Sequence, residues 1–112
     1  EMQRVVTRLG GNAATAGALP GVGDLDVTCN GGRTGRFGRW LGLGLSPAAA
    51  IERMAGATLE CLDILRVMRE AVTALEQRGV LRSDELPLLR HLWEVALNAA
   101  PVAVPFELFF EG

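Results

Sequence analysis

The sequence predicts an all-α fold. Apolar residues recur at helical spacing through most of the chain, no stretch alternates as a strand would, and Gly, Pro, Asn and Ser punctuate it at helix-length intervals. About six to seven helices in one compact domain are expected. There is no internal repeat and no low-complexity linker.

The composition agrees. At 112 residues the chain is one domain or part of one, and 49% hydrophobic residues are enough to bury a core. A net charge of −2 creates no field for nucleic acid and no attraction to a membrane surface. No apolar run approaches the roughly 18 residues of a membrane span, and no signal-peptide pattern opens the chain. The chain starts at Glu1, which reads as a piece of something longer. Cys29 and Cys61 lie far apart and read as reduced thiols in a cytoplasmic protein. All 11 cationic residues are arginine.

In order, Met2, Val5, Val6 and Leu9 share one helical face, and Gly10-Gly11 ends it. Asn12 is an N-cap candidate for a short alanine-rich helix that Pro20-Gly21 stops. Asp24 is expected to cap a helix over 25–29, and Thr34 to cap one running from Gly35 or Arg36 to about Leu43, with Phe37, Trp40 and Leu41 inward. Ser46-Pro47 opens the next helix and Ala55-Gly56 stops it. The longest helix is expected from Thr58 to Arg78. Its stripe is Leu59, Leu62, Leu65, Val67 or Met68, Val72 and Leu75, and its opposite face, read as solvated, carries Asp63, Arg66, Arg69, Glu70 and Glu76. Ser83 is expected to cap a last helix to Ala100, with Leu86, Leu89, Trp93 and Leu97 inward. His91 flanks that stripe with no second ligand near it, so it reads as packing rather than metal binding. Phe106, Leu108, Phe109 and Phe110 form an apolar tail, expected as a helical turn packed on the domain or on a partner.

The chemistry concentrates in Leu19 to Gly38, LPGVGDLDVTCNGGRTGRFG. Glycine at 21, 23, 31, 32, 35 and 38 allows tight turns and close backbone approach. Among the glycines stand Asp24, Thr28, Cys29, Arg33 and Arg36. A guanidinium stays charged and grips phosphate oxygens in pairs, and backbone N–H groups at a helix start add to such a grip. The stretch therefore suits a small anion. Asp24 has two compatible readings, as a helix cap and as a reacting-site carboxylate.

Gly23-Asp24-Leu25 with Val27-Thr28-Cys29, followed by Gly31-Gly32-Arg33, resembles the substrate loop of NAD-dependent glycerol-3-phosphate dehydrogenases. Glu1, Met2 and Arg4 match the helix that precedes that loop, and the resemblance loosens after about Leu65. It implies the all-helical C-terminal substrate domain of that enzyme, of the 6-phosphogluconate dehydrogenase C-terminal type, spanning residues 1–112 and following a Rossmann domain.

By the same resemblance, Arg33 contacts the substrate phosphate and lies close to the cofactor. Thr28 lines the pocket, and Asp24 supports a catalytic lysine that this chain lacks. Thr34 stands where the family more often has asparagine, and Gly35 where it often has a cation. Glu60 matches a residue that reaches the nicotinamide of NAD or NADP; it also reads as a first-turn acid favoured by the helix dipole. The implied substrates are dihydroxyacetone phosphate and glycerol 3-phosphate, and a homodimer is expected. With neither a lysine nor a nucleotide-binding domain, the chain is expected to be inactive alone. The competing expectation is a freestanding helical dimerisation module that ignores phosphate ligands.

Overall fold

The computed structural model of the chain describes residues 1–29 and 31–109, with the side chains of residues 27 and 28 outside that description. Its regular elements are seven α-helices and two short turns of other helical type, with no strand among the described residues. The all-α expectation therefore holds.

Helix α1 (Met2–Arg8) ends where Gly10 takes φ +88° and the N–H groups of Gly10 and Gly11 return to the carbonyls of Thr7 and Val6. Only glycine enters that left-handed region without steric cost. Helix α2 (Ala13–Ala16) is capped by Asn12, whose side chain accepts the Ala14 N–H at 2.9 Å.

The next element differs from expectation. Leu19–Gly23 forms a π-helical turn that runs straight into α3 (Asp24–Cys29). Asp24 already has helical angles (φ −63°, ψ −41°), whereas an N-cap is extended, so Asp24 does not cap α3. The π turn makes this possible by folding hard onto α2. A Cβ at Gly21 would lie 1.9 Å from the Ala16 carbonyl oxygen.

A second cap also moves. Helix α4 (Arg33–Gly42) begins after Gly32, which is extended and serves as N-cap, and Thr34 is inside the first turn. Gly31 reverses the chain at φ +120°, so the helix starts earlier than a Thr34 cap would allow. Phe37 and Leu41 are its buried residues.

Helix α5 (Pro47–Arg53) opens as expected, with the Ser46 hydroxyl accepting the Ala49 N–H at 3.2 Å and Pro47 in the first turn. Helix α6 (Glu60–Gln77) starts slightly later than Thr58 and stops before Gly79 at φ +71°. Its stripe passes through Met68, which is partly buried, and not Val67, which is 64% exposed. On its outer face Arg66 bonds Asp63 at 2.9 Å, but Arg69 and Glu76, expected on the same solvated face, are partly buried, because the helix packs there and Glu76 pairs with Arg90.

Helix α7 (Pro87–Asn98) begins four residues after the expected cap at Ser83. Proline biases the residue before it away from helical angles, and its fixed φ suits the first helical position. Leu86 precedes it and has no capping oxygen. The cap comes instead from Glu1, whose carboxylate accepts the N–H groups of Leu88 at 2.6 Å and Leu89 at 2.9 Å. Arg4 and Arg8 strengthen the same seam by donating to the Glu85 carbonyl and carboxylate.

The core lies in two adjoining clusters. One gathers Phe37, Leu41, Ala50, Met54, Leu62, Val95 and Ala96, joining α4, α5, α6 and α7. The other gathers Val72, Leu81, Leu86 and Trp93, with Val5 of α1 packed against it. The tail forms a 3-10 turn (Phe106–Phe109) that is largely exposed, with Phe106 edge-on to Phe109 at 5.9 Å. Phe110 lies outside the described residues.

Candidate functional site

The glycine-rich stretch becomes two short helices and the bend between them. Asp24 is the first residue of α3, and Arg33 and Thr34 occupy the first turn of α4, which packs beside α3. The bend is tight. A Cβ on Gly35 would sit 3.3 Å from the Cys29 carbonyl oxygen, closer than a comfortable contact. This gives a physical reason for glycine at 35, where sequence reasoning noted only a missing cation.

Asp24, Arg33 and Thr34 are all exposed. Among the described residues no hydrogen bond or ion pair joins Arg33 to any other group, while four arginines elsewhere (Arg8, Arg66, Arg82 and Arg90) are paired with carboxylates. An unpaired guanidinium at the first turn of a helix combines a fixed positive charge with the partial positive charge of the helix start. Thr34 adds a hydroxyl on the same turn. The Thr28 side chain, expected to line the pocket, lies outside the described residues.

Glu60 is the first residue of α6 and is exposed. It makes no capping bond, so its position matches the dipole-favoured first-turn acid and leaves its carboxylate open to solvent. The residues after it, Cys61 and Leu62, pack in the cluster built on Phe37 and Leu41. The starts of α4 and α6 therefore stand on one core, although no hydrogen bond or ion pair links Asp24, Arg33, Thr34 and Glu60 to one another among the described residues.

Two features escaped the sequence. One is the Glu1 cap on α7, for which the only signal was an uncappable Leu86-Pro87 start. The other is a pair of arginines over indoles, Arg53 at 5.5 Å from the Trp40 ring centre and Arg90 at 5.4 Å from that of Trp93. The first sets a guanidinium against Trp40 of α4, a helix whose Arg36 and Arg39 make no ion pair among the described residues. The groups whose titration is visibly displaced lie elsewhere: the Arg82 side chain hydrogen-bonds the Asp84 carboxyl and holds it below the ordinary carboxylate range.

Arg33 offers donors to a phosphate and Glu60 an acceptor to a polar group, the chemistry that contact with a dinucleotide would need. No strand followed by a G-x-G-x-x-G turn exists among the described residues to hold the dinucleotide itself. Both cysteines are free, Cys29 exposed and Cys61 half-buried. No helix is long and apolar enough to cross a membrane.

Comparison with known proteins identifies the family. Residues 1–106 match the family described as NAD-dependent glycerol-3-phosphate dehydrogenase C-terminus. The chain is 34% identical, over its whole length, to a glycerol-3-phosphate dehydrogenase [NAD(P)+] of Pseudomonas paraeruginosa, covering 31% of that protein. A protein of the same name from Pectobacterium carotovorum is 32% identical over 85% of this chain and 26% of its own length. An NADP(+)-dependent glycerol-3-phosphate dehydrogenase of Archaeoglobus fulgidus is 46% identical over 48% of this chain and 16% of its own length. The chain thus spans about a third of the length of the curated relatives it matches. No solved structure matches significantly. The chain belongs to the family of NAD-dependent glycerol-3-phosphate dehydrogenase C-terminal domains.

Proposed function

We propose that this chain is the substrate-binding domain of an NAD(P)-dependent sn-glycerol-3-phosphate dehydrogenase, which interconverts glycerol 3-phosphate and dihydroxyacetone phosphate. The observation that carries this is the exposed Arg33, unpaired among the described residues, at the first turn of α4, beside the helix that begins with Asp24. Arg33 binds the substrate phosphate through paired N–H donors, and Thr34 adds a hydroxyl contact. Thr28 lines the pocket by family resemblance alone.

The cofactor supplies or accepts the hydride when bound. The roles of this chain's residues are separate from that step. Asp24 orients and keeps protonated a lysine that the 112 residues do not contain, since an acid beside an amine favours the ammonium form. Arg33 and Glu60 contact the nicotinamide side, and a nucleotide-binding domain holds the rest. The 112 residues alone are inactive. The reading carries with it a reduced, cytoplasmic setting and pairing into a homodimer.

The test uses a polypeptide that also carries the nucleotide-binding domain. Arg33→Ala is expected to raise KM for the phosphorylated substrate by about 30- to 100-fold, the size of a lost charge-assisted pair of hydrogen bonds. Arg33→Lys should recover only part of it, because an ammonium lacks the planar fork. An unchanged KM in Arg33→Ala overturns the assignment.

A second reading is favoured by one observation. Leu19 is 82% and Phe106 63% exposed, and an apolar groove of about 570 Å³ opens between α1, the π turn, α6 and α7. A helical module built for self-association would show these features. Both readings allow a dimer, so titration of the 112-residue chain with glycerol 3-phosphate separates them: a tight dimer that does not bind the ligand favours the module.

A further inference from the structure

The only histidine, His91, uses its Nε2 to accept the Ala103 backbone N–H at 3.1 Å. The bond reaches from the middle of α7 to the segment that follows it. That segment begins with Ala99 at φ +57°, a left-handed helix stop, and the Ala100 N–H returns to the Glu94 carbonyl at 3.0 Å. Residues 99–102 then form one wall of a cavity of about 410 Å³. Its other walls are the end of α4, the start of α5 and Val95 of α7. Beyond Ala103 no hydrogen bond ties the segment to the helices among the described residues; the Phe106 and Leu108 amides bond only to Val104 and Pro105.

We propose that His91 is an acid-released clasp that holds segment 99–104 against α7 as one wall of this open cavity. Only the neutral imidazole has a lone pair on Nε2. The bond therefore requires the tautomer with its proton on Nδ1. Imidazoles as a class gain their second proton between about pH 5 and pH 8. Once protonated, Nε2 becomes a donor facing another donor, the Ala103 N–H, and the clasp opens. No bond is made or broken beyond the proton itself.

Among the described residues no ion pair involves His91. On α7, Arg90 binds Glu76 of α6, and the Glu94 carboxylate holds Asn98 at 3.0 Å. On α5, Arg53 lies over Trp40. Neither Glu52 of α5 nor Glu107 of the tail makes an ion pair with the ring. The segment from 99 to 104 carries no ionisable side chain. Among the described residues His91 is therefore the group whose state sets the clasp, whatever the domain's catalytic role.

The experiment is amide hydrogen exchange of the whole chain, read at Ala103 as a protection factor corrected for intrinsic exchange, at pH 7.5 and pH 5.0. One hydrogen bond of ordinary net strength corresponds to about a fivefold loss of Ala103 protection at the lower pH. Val72 in α6, buried in the second cluster, serves as the reference for global stability. His91→Gln keeps an acceptor at similar reach that does not titrate, and should hold Ala103 at both pH values. His91→Phe should leave it open at both. Ala103 protection that is equal at the two pH values in the natural chain overturns the proposal. So does a pH-dependent loss that persists in His91→Gln while Val72 stays protected.

Discussion

Gly21→Ala places one methyl group against backbone that has no way to yield. The new Cβ would lie 1.9 Å from the Ala16 carbonyl oxygen, 2.6 Å from its carbon and 2.8 Å from its Cα. No rotamer relieves such a contact, so the π turn must move off α2. Overpacking of this kind costs about 1–3 kcal/mol. Loss of glycine's freedom in the unfolded chain returns about 0.4–1 kcal/mol, since Gly21 is not at positive φ. The net expectation is a destabilisation of about 1–2 kcal/mol, or roughly 4–12 °C in Tm for a chain of this size. Gly23 is the internal control. Its added Cβ meets only the Leu19 side chain, with the tight approach, 2.9 Å, at Cδ2, the end of a flexible and exposed group. Urea and thermal unfolding followed by circular dichroism measure both variants. A Gly21→Ala change within about 0.3 kcal/mol of the natural chain refutes the reasoning, because independent measurements agree at that level. Equal costs at 21 and 23 refute it too. Because the π turn leads directly into Asp24, the same variant in the longer enzyme should also lower turnover.

Glu1→Ala removes both acceptors at the start of α7 and should cost about 1–2 kcal/mol by the same unfolding measurement, with Glu1→Gln losing less. Faster exchange confined first to the Leu88 and Leu89 amides would identify the cap as the cause. The Arg82 hydrogen bond depresses the Asp84 carboxyl, so its contribution is present above the unfolded carboxylate pKa and is lost as pH falls through the lower folded value. Both groups are at the surface, so the effect is small and weakens with salt. Asp84→Asn should flatten stability against pH only below about pH 4, where carboxylates protonate.

The sequence by itself determined the fold class, most helix faces and the place of the candidate site. Periodicity puts Phe37, Leu41, Leu62 and Val72 inward, and these are local facts about spacing. Asn12 and Ser46 also cap as read, because their acceptors and donors lie within three residues. The failures at Asp24, Thr34 and Ser83 share one cause. A capping residue type is only an offer, and backbone angles decide whether it is taken up. At Thr34 the reversal at Gly31 starts the helix early, at Asp24 the π turn pressed onto α2 supplies the helix start, and at Ser83 the rigid φ of Pro87 fixes it later. Only the tertiary structure decided that Glu1, nearly the whole chain away, caps α7, and that His91 holds Ala103. Such bonds depend on where helices pack, and packing is set by the summed burial of the core rather than by any residue's neighbours in sequence.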